Sequence, residues 1–345
     1  MTNQRVSWID AAKGIGIILV VYGHVARGVF NAGLYQEQPL VTYHLIDNII
    51  YSFHMPLFFF LSGLFFLRSF DKRGSRLILN KIDTIFYPYL IWSIIQGVIE
   101  IILSQYTNGT TSFGNLIAIL WLPIAQFWFL YALLLIFIFN TVIFIFLERY
   151  FKPLNIPFII FGIGFFLFLI KQYLPADYFF IRAVSYNYIY FSFGILYWRV
   201  LDGKHHSISL TLGVFVIFSL FEYLVYYTAT LPSDSALIKI IITFSGILTV
   251  IFVCQNLRGT IIKILSLVGR YSMEIYLMHV IFGSGIRIVL QKIFNVNNTD
   301  IHLILGTLLG LIFPILFVKI ARSTKLEFLF KSPRIISVDK IESKP

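Results

Sequence analysis

Asp10, Lys13 and His24 fall within an arc of about 100° on a helix, together with Ile17, Val20 and Arg27. His24 lies eleven residues beyond Lys13, or about 16 Å along the axis at 1.5 Å per residue. A neutral imidazole can take a proton from a hydroxyl, or itself carry a transferred group. His44, Asp47, Tyr51 and His54 form a second stripe, within roughly 80° of one helix. That stripe suits a sugar-binding wall or a charge pair lining a cavity, and Asp47 alternatively suits a helix N-cap. Ser272, Tyr276 and His279 share a third face, with Glu274 turned away from it and one turn from Arg270. Arg73 and Arg76 flank Gly74-Ser75 in a basic loop. They could grip a phosphate bidentately or serve only to set topology.

The elements that must hold these groups are membrane helices. Of 345 residues, 58% are hydrophobic, 18% aromatic and 12% charged, against about 25% charged in soluble domains. A mean hydropathy of +0.84 would leave a soluble fold of this length with an apolar surface. The apolar runs are near-continuous rather than alternating, which excludes an outer-membrane barrel. We expect an all-α, polytopic bundle of about ten helices spanning 8–30, 44–68, 81–104, 127–147, 156–172, 179–200, 207–228, 235–254, 264–290 and 301–321. The first run, with Lys13 and His24 inside it, reads as a retained helix rather than a cleaved leader. Residues 113–125 are too short to cross and read as a re-entrant or interfacial piece. A transmembrane domain over 1–325 would then be followed by a basic cytoplasmic tail, 326–345.

The net charge of +11 is a topology signal and calls for no nucleic acid. With the N-terminus inside, 21 of the 27 basic residues fall in cytoplasmic segments, which requires an even number of crossings and places both termini in the cytoplasm. Arg27 and Arg287 count among the few basic residues at outer helix ends. The single cysteine, Cys254, excludes an intramolecular disulfide and a cysteine zinc site, and no metal is expected. Glu100 and Glu222 stand as isolated carboxylates within apolar runs, where such groups normally face the bundle interior.

Several stretches resemble the membrane acyltransferase 3 superfamily, in particular its sugar O-acetyltransferase branch. They are "WIDAAKGIGIILVVYGHV", with a basic residue and a histidine separated by ten positions (Lys13 and His24), "FHMPLFFFLSG" (53–63), Arg73-x-x-Arg76, "FWFL" (127–130) and "GRYSMEIYLMH" (269–279). They occur in family order across essentially the whole chain. Lys13 stands where many members have arginine. The resemblance implies transfer of an acyl group, usually acetyl, from cytoplasmic acyl-coenzyme A to a carbohydrate hydroxyl, with no permanently bound cofactor. It implies that His24 is the catalytic residue, with Lys13 and Asp10 on its face, and that Arg73 and Arg76 assist the donor. His44, Asp47, Tyr51, His54, Trp128, Tyr276 and His279 then become candidates for the pore and acceptor site, in a cell membrane whose lipid surrounds the bundle. The rival readings are a transporter or flippase, with the intramembrane histidines and glutamates as a proton or substrate path, and a non-catalytic scaffold. No inverted repeat is visible to favour the transporter.

Overall fold

The computed structural model describes residues 7–34, 40–106, 111–201, 206–333 and 336–339, and every regular element among them is helical. In chain order these are α1 (Ser7–Asn31), α2 (Leu40–Leu64), α3 (Phe66–Arg73), α4 (Leu77–Lys81), α5 (Tyr87–Ile102), α6 (Phe113–Ala118) and α7 (Trp128–Glu148). They continue with α8 (Ile156–Ile170), α9 (Phe179–Leu201), α10 (Ile208–Glu222), α11 (Ala236–Asn256), α12 (Gly259–Arg270), α13 (Ser272–Ile288) and α14 (Thr299–Ser323). Eight helical stretches among the described residues are long and apolar enough to cross a bilayer, and one of them, Thr42–Ile102, contains most of α2 and all of α5. The protein is an all-α, multi-pass membrane protein. The expected sixth span coincides with α9, whose Arg182, Asn187 and Arg199 lower its apolar character below that of the eight.

Local chemistry explains the punctuation. Gly74 adopts φ +56°, a conformation that favours glycine, and turns the chain between α3 and Arg76. Pro88 sits inside the first turn of α5, where its missing N–H costs little. A widened π-type turn over Ile82–Phe86 precedes it. The non-crossing piece after α5 is α6, only six residues long and begun by a capping box between Ser112 and Asn115.

The ninth expected span needs correction. Residues 264–290 do not form one helix: the chain breaks at Tyr271, so α12 ends at Arg270 and the membrane helix begins with Ser272. α12 packs instead along the first half of α1. A Cβ at Gly269 would overlap the carbonyl oxygen of Asp10, and one at Gly14 would overlap that of Leu265. Only glycine lets these backbones touch.

The chain forms two compact units. One comprises residues 1–58 and 203–317, so it holds α1, the first part of α2, α10 to α13 and most of α14; the other comprises 59–202 and 318–345. Within the second unit, the described end of the chain folds back. The Val338 and Asp339 amides and the Ser337 hydroxyl donate to the Asp83 carboxylate at 2.6–3.0 Å, and Trp92 Nε1 donates to the Leu329 carbonyl at 2.8 Å.

Candidate active site

The first unit brings together three of the polar stripes. His24 on α1 meets His279 on α13 edge to face, with ring centroids 5.0 Å apart. Both rings line a shallow open cleft, about 340 Å³ with the open solvent at its mouth included, bounded also by Gly28, Val29, Gly283, Ser284 and Arg287. His279 Nδ1 lies 2.8 Å from the Tyr276 carbonyl oxygen and 3.2 Å from that of Ile275. Carbonyl oxygens only accept, so Nδ1 carries the ring hydrogen and Nε2 presents a lone pair. That Nε2 is buried and has no hydrogen-bond partner among the described residues. A buried, unsatisfied acceptor beside a second imidazole suits a hydroxyl-bearing ligand.

The stripe on α2 is tied to α1 one turn beyond His24. Arg27 Nε and Nη2 donate to the two Asp47 oxygens, each at 2.8 Å, and the guanidinium lies 3.3 Å from the centre of the Tyr51 ring. Gly23 leaves room for that ring: a Cβ there would stand 3.0 Å from Tyr51 Cε2. Tyr51 in turn meets His54 edge to face at 4.5 Å, and His54 Nδ1 donates to the Ile50 carbonyl at 2.7 Å. Tyr276 packs against His279 at 5.8 Å. His44 lies at the exposed end of the stripe, against Phe30 and Tyr43. Asp47 is therefore no N-cap: α2 begins seven residues earlier, at Leu40, and the carboxylate serves an inter-helix ion pair.

The weight of that pair is testable. Asp47→Ala is expected to lower Tm by a few degrees, about 1 kcal/mol, because Arg27 is partly exposed and water softens the loss. Adding Arg27→Ala should then cost only its stacking on Tyr51, about 0.5–1 kcal/mol, as the ion pair is already gone. Fully additive losses in thermal melts would show that the two side chains act independently.

With this geometry in hand, the chain can be set beside known proteins. The acyltransferase domain model of the acyltransferase 3 family matches residues 6–319. The chain belongs to that family. It is 34% identical over 104 residues to the nodulation protein NolL of Mesorhizobium japonicum, covering 28% of this chain and 27% of that one. It is 29% identical over 149 residues to NolL of Sinorhizobium fredii, covering 38% and 35%. The matched part thus spans about a third or less of those relatives' length. No solved structure matches the chain.

The fold does not bring every sequence candidate to the cleft. Asp10 and Lys13 pair with each other at 3.9 Å, three turns back along α1 from His24. Arg73, Arg76 and Trp128 belong to the second unit. There Arg73 Nε approaches an Asp339 oxygen at 3.6 Å, Arg76 is exposed, and the Trp128 ring lies 6.4 Å from Phe59. The lone carboxylates have found hydroxyl and amide partners. Glu222 accepts from Ser52 at 2.6 Å, and Glu100 from Gln96 and Thr111 at 2.8 and 2.5 Å.

One residue at the cleft escaped the sequence reading. Arg287, counted there only as an outer basic residue, is 6% exposed and faces the same cavity as the two histidines. The available signal was its position two turns beyond His279 on the same helix, at steps of four and four through Gly283.

Proposed function

We propose that this acyltransferase moves an acyl group, acetyl above all, from cytoplasmic acyl-coenzyme A to a hydroxyl of a carbohydrate. The observation that carries the reading is the pair of imidazoles at one cleft, His279 offering a buried and unpartnered Nε2 beside His24. Carbohydrates supply adjacent hydroxyls, and two acceptors side by side fit such a diol. One hydroxyl gives its proton to His24 as its oxygen attacks the thioester carbonyl; its neighbour donates to His279 Nε2 and orients the ring. The tetrahedral intermediate collapses, the carbon–sulfur bond breaks, and the coenzyme A thiolate leaves. The proton on His24 is then lost to solvent or to the thiolate. His24 is the catalytic base in this scheme; Tyr51 with His54, and Tyr276 against His279, pack behind the cleft rather than line it. A route through an acylated His24 would use the same two residues.

The donor side rests on charge. Arg73 and Arg76 are the proposed holders of the coenzyme A phosphates, with Asp339 a competitor for Arg73. The 21-to-6 distribution of basic residues supports a cytoplasmic-membrane protein with the N-terminus, the 68–81 loop and the tail inside. The acceptor is then modified at the opposite side.

Proteoliposomes of known orientation test the scheme. With acetyl-coenzyme A confined to the side bearing the 68–81 loop, acceptor supplied on the opposite side should be acetylated. The Arg76→Ala protein should need about tenfold more donor for the same rate. Product formed only when both substrates share one side would rule out vectorial transfer, and an unchanged donor KM would remove Arg76 from the donor site.

A further inference from the structure

Arg287 is a permanent charge in a buried setting, and among the described residues it makes no ion pair or hydrogen bond. An arginine cannot shed its proton to escape that cost, so a buried guanidinium calls for an oxyanion. It lines the cleft that holds His24, His279 and Ser284. We propose that Arg287 anchors a carboxylate or phosphate on the acceptor, so that the enzyme is selective for anionic saccharides. The proposal rests on the acyltransferase reading of the same cleft.

The position on the helices argues for the acceptor rather than the donor. α1 and α13 line the cleft in parallel: His279 meets His24, and one turn on a Cβ at Gly283 would stand 3.1 Å from Val25 Cγ2, with Arg287 a further turn beyond. Arg287 is therefore at the end of the cleft furthest from Ser7 and Ser272, the ends that lie beside the basic segments assigned to the cytoplasm. Coenzyme A phosphates drawn to that inner charge have no reason to reach it. From His279 to Arg287 is eight residues, about 12 Å of helix rise, and the side chain can reach back over half of that. A hydroxyl at the histidines and an anionic group at Arg287 are thus about one to two sugar rings apart. The planar fork of the guanidinium suits the bidentate geometry of either anion, and Ser284 supplies a further hydroxyl on the same wall.

Purified full-length protein decides the matter with three probes: a glucuronate-bearing disaccharide, the same disaccharide bearing a phosphate, and neutral cellobiose. Binding is read as the shift in Tm, independently of acetyl transfer. At least one anionic probe should bind wild type about tenfold more tightly than cellobiose, and the one that does identifies the group. Arg287→Gln should erase that preference and Arg287→Lys should restore part of it. Equal binding of all three probes to wild type, or an unchanged preference in both variants, would overturn the proposal. Anion-selective binding with no cleavage of acetyl-coenzyme A would instead leave Arg287 as an anchor and remove the acyltransferase reading.

Discussion

Replacing His24 by alanine is expected to lower acetyl transfer by roughly 10²- to 10⁴-fold, the range that a positioned general base contributes. The protein should still insert and melt close to wild type, because the ring borders an open cleft and meets its neighbour His279 only edge to face. His279→Ala should be milder, about tenfold, and should fall mainly on acceptor KM, since it removes an orienting hydrogen bond rather than the base. Rates are best measured with radiolabelled acetyl-coenzyme A in detergent, beside a thermal melt of the same sample. A His24→Ala protein within tenfold of wild type would end the proposed mechanism. If His279→Ala proved the more damaging of the two, the roles of the imidazoles would have to be exchanged.

The largest effect on stability should come from Gly269→Leu. The Cβ alone overlaps the Asp10 carbonyl oxygen, and no side-chain rotation relieves a clash with backbone. Once the two backbones are forced apart their close packing is lost along the whole crossing, so α12 should detach from α1. We expect a fall in Tm above 10 °C, or protein that cannot be recovered as a single species. Gly285→Leu on α13 is the control. A Cβ there meets nothing within 4 Å, and its Tm should stay within a few degrees of wild type. Equal melting of the two variants would show that the α1–α12 crossing contributes little to stability.

Helix content was readable because hydrocarbon demands continuous apolar runs, and helix lies at every expected span, although the ninth is broken at Tyr271. Breaks were harder to see. The one between α12 and α13 was missed although Gly269-Arg270-Tyr271-Ser272 interrupts the apolar run: there is no proline, and Arg270 and Glu274 read as an ion pair one turn apart on a single helix. What splits α12 from α13 is the tertiary demand that Gly269 lie on α1. Asp47 was ambiguous for a related reason. Hydropathy put the start of α2 near residue 44, which made the carboxylate look terminal, whereas the helix begins at Leu40. The histidines were legible because imidazole is rare in a membrane segment and their periodicity placed them on polar faces. Arg287 was not, because a lone arginine near a helix end normally snorkels to the interface. Only packing reveals that this one is enclosed. The Arg73–Asp339 contact was equally hidden, since it joins positions far apart in sequence.

The sole thiol of the chain has a practical consequence. Cys254 is completely enclosed in α11. Thiolate is the form that alkylating reagents attack, and a sulfhydryl shut away in apolar packing offers them neither access nor charge. Native protein should thus stay dark to polar maleimides, and a cysteine introduced at any exposed position would be the one that lights up. The wild-type chain is in effect its own cysteine-free background, ready for membrane-sidedness labelling without first disturbing the bundle.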